Sequence, residues 1–206
     1  MSYGFLDIAS TPSVKAAQAA NGSAEQWSDF RGNRAFDRFT PSEVQFIAER
    51  DSFYMASVSE TGWPYMQHRG GPAGFLRVLD DKTLGFADFR GNRQYISVGN
   101  IAADDRVALF LMDYPNRRRL KILAHAEERD LTSDPELSQR LAIPDYNAKV
   151  ERAMLFHLEA FDWNCPQHIT PRYTQDELTP ILEPVRERIA ELEAENKELR
   201  RRLGAR

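Results

Sequence analysis

The sequence predicts a mainly β fold with short helices: a closed or half-closed β-barrel followed by one amphipathic, coiled-coil-like helix at the C-terminus. Three observations lead there. From Phe53 onward the chain falls into short apolar runs separated by acidic or glycine turns, the pattern of an antiparallel meander. Six or more such runs, with only short helices between them, suit a barrel. Near the end the apolar period becomes a heptad.

The first clear element is "TPSEVQFIAER". Thr40 can cap it, Pro41 fits the first helical position and Glu43 completes a capping box. A helix over 41–50 follows, with Val44 and Ile47 on one face. Upstream, "TPSVKAAQAANGS" predicts a helix that starts at Thr11-Pro12 and stops near Asn21-Gly22. Downstream, "FYMASVS", "YMQHR", "GFLRVLD", "TLGFAD", "RVALFLMDY", "RLKILAHAEERD" and "MLFHLEAFDW" read as strands. "NRQYISVGNIAADD" reads as a short helix with Asn100 near its end. "TSDPELSQRLA" and "YNAKVERA" read as helical.

In the tail, Leu182, Val185, Ile189, Leu192, Asn196, Leu199 and Leu203 are spaced 3-4-3-4-3-4, a seam with Asn196 at an a position. Arg188 and Glu195 fall at g, Glu193 and Arg200 at the following e positions. A parallel pair would set Arg188 against the partner's Glu193, and Glu195 against the partner's Arg200. The alternative is an amphipathic helix lying on its own barrel. Pro180 and Pro184 place the start of the regular helix near Pro184. The chain thus divides into an N-terminal extension (1–39), a barrel (40–174) and a C-terminal helix (175–206).

Composition narrows the function. A 42% hydrophobic content supports a real core and excludes a disordered chain. A net charge of −4 argues against a general nucleic-acid binder. The single Cys165 cannot form an internal disulfide, so a reducing, cytoplasmic setting is expected. No signal peptide is recognisable, and no apolar run reaches the ~20 residues that span a bilayer.

"FRGNR" occurs twice, at 30–34 and 89–93. The second copy follows the strand "TLGFAD" and precedes a helix. A glycine there lets the backbone approach a ligand, and a helix start offers free N–H groups. With Arg90, Arg93 and the amide of Asn92, this forms a candidate anion site, best suited to a phosphate. The plain alternative is solvated arginines beside a turn. The first copy is followed by "AFDRFTPSE", which shares nothing with "QYISVGNIA". It reads as chance similarity or an arm laid over the barrel.

The span from about Thr40 to Asp162 resembles the pyridoxamine 5′-phosphate oxidase-like family of FMN-binding split barrels, in its uncharacterised branch. "TGWPYMQHRGG", "GFADFRGNRQYISVGNIAADDRVALFL", "RRRLKILAHAEE" and "HLEAFDW" carry the resemblance, in the family's order. The resemblance implies FMN as cofactor and a homodimer with the flavin in its interface. It places Arg93 as the basic phosphate ligand, with Gly91 and Asn92 at the preceding turn positions. It places Gln67, His68, Arg69 and Gly70 on the strand whose backbone bonds the isoalloxazine edge, and Phe86 and Ala87 beside the flavin. Arg119 falls where the oxidases tend to have Gln. The R-L-H-D-R motif that holds pyridoxal phosphate is absent, and "DWNCPQHITPRY" stands in its place. Vitamin B6 is therefore not carried over as substrate.

In "WNCPQHITPR", Trp163, Gln167, His168 and Arg172 form a candidate substrate-side wall, with a satisfied interface cluster as the alternative. Cys165 and His168 are too few ligands for a zinc site, so no metal is expected. His125 and His157 sit in strand patterns and read as structural. The function expected is an FMN-dependent oxidoreductase acting on a small molecule. The alternatives are a flavin-binding sensor or carrier without turnover, or a split barrel holding deazaflavin or haem. No strand–G-x-G-x-x-G–helix unit for a nicotinamide cofactor is present.

Overall fold

The computed structural model describes residues 4–28, 37–163 and 166–204. The first FRGNR copy and Cys165 lie outside them. The chain divides into two units, one of residues 1–113 and 118–167, the other of 114–117 and 168–206.

The first unit opens with three short helices, α1 (Phe5–Ala9), α2 (Pro12–Ala20) and α3 (Ala24–Ser28). Thr11 caps α2 and Pro12 begins it, as its sequence dictates. Helix α4 (Pro41–Ala48) carries the expected capping box, with the Thr40 N–H donating to Glu43 Oε2 at 2.9 Å. Its inward face differs from expectation. Glu43, Phe46 and Ile47 are buried, whereas Val44 is exposed. Burial of Glu43 is compensated by two donors, Thr40 and the Trp163 indole, whose Nε1 donates at 2.8 Å.

Seven strands follow: β1 (Ser52–Val58), β2 (Pro64–Gly70), β3 (Arg77–Val78), β4 (Thr83–Phe89), β5 (Arg106–Asp113), β6 (Arg118–Arg129) and β7 (Val150–Trp163). They form one sheet in the order β2-β1-β5-β6-β7-β4-β3, every neighbouring pair antiparallel. The sheet curls round one core, so that β1 and β4 meet through their aromatic side chains. Phe53 on β1 lies edge-on to Phe86 on β4 and to Phe156 on β7, at 5.6 and 6.1 Å. The edge strands β2 and β3 share no ladder. This is the split β-barrel that the resemblance implies, a half-closed form of the barrel that the alternating runs predict. A second, smaller cluster packs helix α6 (Pro135–Leu141) through Leu137 and Leu141 against Ala87, Ala153 and Leu155 on the sheet's other face.

Four expectations need correction. "GFLRVLD" yields only the two-residue β3, because Gly74 with φ +79° and the loop before it turn the chain. "YNAKVERA" is not helical. Its second half is β7, where Val150 and Arg152 pair with Phe89 and Asp88 on β4 and Ala153 is the first residue also paired with β6, and ladder pairing overrides a weak helical pattern. The helix after FRGNR, α5, spans Ile96–Ala103, so it starts later than the motif and runs on past Asn100. The last correction concerns the tail.

In the second unit, α7 spans Gln175–Gly204, with Pro180 and Pro184 inside it rather than at its start. A second capping box sets the earlier start. The Thr174 N–H donates to Glu177 Oε2 at 2.7 Å, and the Glu177 N–H to Thr174 Oγ1 at 3.2 Å. Each proline then removes one internal hydrogen bond without ending the helix. No side chain of α7 is buried. No described helix is long and apolar enough to cross a membrane.

Candidate functional site

A cleft of about 180 Å³ lies in the barrel unit where four segments meet. The edge strand β2 contributes Tyr65, Gln67 and Arg69. The end of β4 contributes Asp88 and Phe89, and the start of β7 contributes Glu151. The FRGNR turn and the start of α5 supply Gly91 to Val98.

Strand periodicity decides which β2 side chains enter. Tyr65, Gln67 and Arg69 alternate inward, and Met66 and His68 point to the other face. The Tyr65 hydroxyl donates to Gln67 Oε1, and Arg69 Nη1 donates to Asp88 Oδ1 at 2.9 Å.

The turn is built from hydrogen bonds and left-handed residues. The Arg90 N–H donates to the Lys149 carbonyl at 2.8 Å, and Arg90 Nε to Glu151 Oε1 at 2.7 Å. Asn92 Oδ1 accepts from the Gln94 N–H at 3.1 Å, an Asx turn. Arg93 and Tyr95, with φ of 62° and 52°, carry the left-handed geometry that brings the chain into α5. Gly91 is not left-handed, and nothing lies within 4 Å of where its Cβ would be. Its missing side chain leaves the cleft floor open rather than permitting a special backbone angle.

Arg93 Nε donates to Tyr95 Oη at 3.1 Å, and the same hydroxyl donates to Glu151 Oε2 at 3.2 Å. The Arg90 hydrogen bond, with help from Tyr95 and against partial burial, holds the Glu151 carboxyl below its usual range. Tyr95, followed by the charge of Glu151, raises the Arg93 guanidinium. Asp88 goes the other way. Burial pushes its carboxyl up, although Arg69 and Arg152 pull it down.

Tyr95 stands at the N-cap of α5 and offers no side-chain cap; the first intrahelical bond is Gly99 N–H to the Tyr95 carbonyl at 2.9 Å. Ile96, Ser97 and Val98 line the cleft, and their N–H groups, at the start of the helix, have no intrahelical acceptor. Helix α5 is fixed from beneath, where Asn100 Nδ2 donates to Ser57 Oγ on β1 at 3.0 Å, both side chains buried.

Of the residues expected at the cofactor, Gln67, Arg69, Gly91, Asn92 and Arg93 line this cleft. Gly70 ends β2 beside it, and Arg90 braces it through Glu151. His68 instead packs edge-on to Tyr54 at 5.5 Å on the opposite sheet face. Phe86 belongs to the main core and Ala87 to the smaller cluster. Arg119 stands on β6 with its guanidinium 5.6 Å from the Phe110 ring. On the expected substrate side, Trp163 bonds Glu43 and packs edge-on against Phe46 at 4.8 Å, and Gln167 is exposed; neither lines the cleft. His168 and Arg172 belong to the second unit, where Arg172 lies over Tyr114 at 5.0 Å. His125 and His157 bond Asp105 and Glu127. Among the described residues, no cluster suited to a metal ion occurs.

Sequence reasoning missed Tyr65, Asp88, Tyr95 and Glu151. Alternation on β2 would have added Tyr65 to Gln67 and Arg69. Glu151, about sixty residues from the motif it braces, left no local signal.

A family model described as pyridoxamine 5′-phosphate oxidase matches residues 39–162. No curated relative matches the chain. Among solved structures, a candidate pyridoxamine 5′-phosphate oxidase from Lactobacillus delbrueckii aligns at 21% identity with TM-score 0.46, covering 61% of this chain and 94% of its own. HupZ from Group A Streptococcus aligns at 14% identity with TM-score 0.46, covering 66% and 100%. An FMN-binding protein from Syntrophomonas wolfei aligns at 12% identity with TM-score 0.44, covering 71% and 97%.

Proposed function

Since the chain belongs to the pyridoxamine 5′-phosphate oxidase family, we propose that it binds FMN in the cleft beside α5, at a homodimer interface, and acts as an FMN-dependent oxidoreductase on a small molecule. The observation that carries this reading is one juxtaposition: Arg93 and the uncapped start of α5, residues Ile96, Ser97 and Val98, line one cleft with Gln67 and Arg69.

The residues fit a phosphate. Arg93 spends one donor on a phenol rather than on a carboxylate, so its charge is available to an anion. The start of α5 adds backbone donors and the positive end of its dipole. Arg69 differs, because Asp88 already holds one end of its guanidinium. It is a fixed, largely neutralised group, suited to positioning. Tyr65 and Gln67 add a hydroxyl and an amide that can bond the polar edge of a flat ring. A bound flavin would supply the hydride chemistry, and these side chains supply placement and charge.

The dimer is supported by the size of the cleft. A volume of about 180 Å³ is small beside the roughly 300–1,000 Å³ of ligand pockets. A second chain against the free edge of β2 would complete it. Trp63 and Met66, on that strand and the turn before it, are 76% and 67% exposed.

A sensor or carrier without turnover is the second reading. It is favoured by the state of the cleft's two carboxylates: Asp88 is held by Arg69 and Arg152, and Glu151 by Arg90 and Arg152. Neither is free to act as a base. Titration with FMN, followed by flavin absorbance and fluorescence quenching, tests the binding. Absence of uptake overturns both readings. NAD(P)H or oxygen consumption by the loaded protein then separates them.

A further inference from the structure

We propose that α7 pairs with α7 of a second copy of this chain as a parallel, in-register, two-stranded coiled coil. The inference is independent of the flavin reading. It begins from an unpartnered apolar seam. Leu182, Val185, Ile189, Leu192, Leu199 and Leu203 are all exposed along one uninterrupted helix, and no α7 side chain is buried. At about 1.5 Å per residue, the seam from Leu182 to Leu203 is about 33 Å long. A groove along it is lined by Ile189, Leu192 and Asn196, with Glu193, Lys197 and Arg200 on its rim.

The polar residues choose the occupant. In a parallel pair, each a residue meets its own copy, so Asn196 bonds Asn196 of the partner subunit and both amides are satisfied. In an antiparallel pair an a residue meets a d residue, and Asn196 would face Val185 or Leu192 with its amide unpaired. The parallel register also sets Arg188 against the partner's Glu193 and Glu195 against the partner's Arg200. Both contacts are attractive. Charges also pair within the helix: Glu198 bonds Arg201 and Arg202 at 3.0 and 2.8 Å, and Arg188 bonds Glu191 at 2.8 Å, an exposed bond it would exchange for or share with the partner's Glu193.

The test is disulfide trapping in the full chain, with Cys165→Ser removing the native thiol. Leu199→Cys, at a seam d position, should link two chains at least tenfold faster than Arg201→Cys on the outer face. Leu192→Cys should behave like Leu199→Cys. Glu195→Arg and Arg200→Glu, each added to Leu199→Cys, should slow linking severalfold by setting like charges together, and the two combined should restore it. Seam cysteines that link no faster than Arg201→Cys overturn the pairing. Fast linking without recovery in the charge swap overturns the register. Linking of Leu199→Cys only to Leu182→Cys shows an antiparallel pair and overturns the proposal.

Discussion

Arg69 Nη1 lies 2.9 Å from Asp88 Oδ1 and joins two strands, β2 and β4, that share no backbone ladder. The split side of the barrel is thus crossed by an ion pair lining the cleft as well as by the Phe53–Phe86 contact. Asp88 has a second arginine, Arg152 Nε at 3.8 Å. Removing one partner of such a pair leaves a poorly solvated charge, at a cost of roughly 3–5 kcal/mol when burial is complete. Arg69 is 18% exposed, so Arg69→Met should cost less, about 2 kcal/mol, in chemical denaturation. A change below 0.5 kcal/mol, the ordinary range for surface sites, would show that the pair does not hold the seam.

Asp88 also predicts a pH dependence. Burial raises its carboxyl, against the pull of Arg69 and Arg152, so the folded chain takes up its proton at higher pH than the unfolded chain does. This contribution strengthens the fold as pH falls through the raised value to the ordinary aspartate range, and weakens it as pH rises through the same window. The stability difference between wild type and Asp88→Asn should therefore grow on acidification across that window and stay level above it. Denaturation curves at a series of pH values measure the difference. A signed difference, wild type minus variant, that falls on acidification would reverse the assignment.

Arg93→Ala should weaken FMN more than riboflavin, because only FMN carries the charge that Arg93 would meet. Loss of that charge-assisted bond should lower affinity about ten- to a hundredfold. Fluorescence titration with both ligands gives the ratio. Equal losses would mean that Arg93 serves the turn rather than a phosphate. Arg34→Ala, in the first FRGNR copy, should leave both affinities nearly unchanged.

Asn100→Ala removes the bond that seats α5 on β1 and leaves Ser57, buried to 2% exposure, without that donor. A stability loss of about 1–3 kcal/mol is expected. FMN affinity should fall too, although residue 100 does not line the cleft, because the N–H groups of residues 96–98 move with the helix. Unchanged affinity in a folded variant would show that the start of α5 does not serve the ligand.

Truncation after Tyr173 removes all of α7. The product should remain a dimer that binds FMN, with lower and more concentration-dependent thermal stability. Light scattering with FMN titration decides. A clean monomer retaining full FMN affinity would place all dimerisation in the tail and remove the shared cleft.

The sequence by itself determined the parts of this protein that depend on local chemistry. Thr40, Pro41 and Glu43 specify the start of α4, and Thr11 and Pro12 that of α2, because capping acts within one turn. Period-two runs specify the long strands, and the heptad specifies an exposed apolar seam. The Arg93 turn was visible because strand, turn and helix lie together in residues 83–103. Tertiary structure alone decided what depends on residues far apart. Pairing with β4 made the start of β7 out of "VERA". The curl of the sheet sent Phe86 into the core while Asp88, two residues on, reached the cleft. Trp163 was drawn to Glu43, 120 residues away, because a buried carboxylate needs donors wherever the fold can bring them. Glu151 joined the FRGNR turn for the same physical reason: a charge leaving water takes the partner that packing supplies, and sequence distance does not enter that choice.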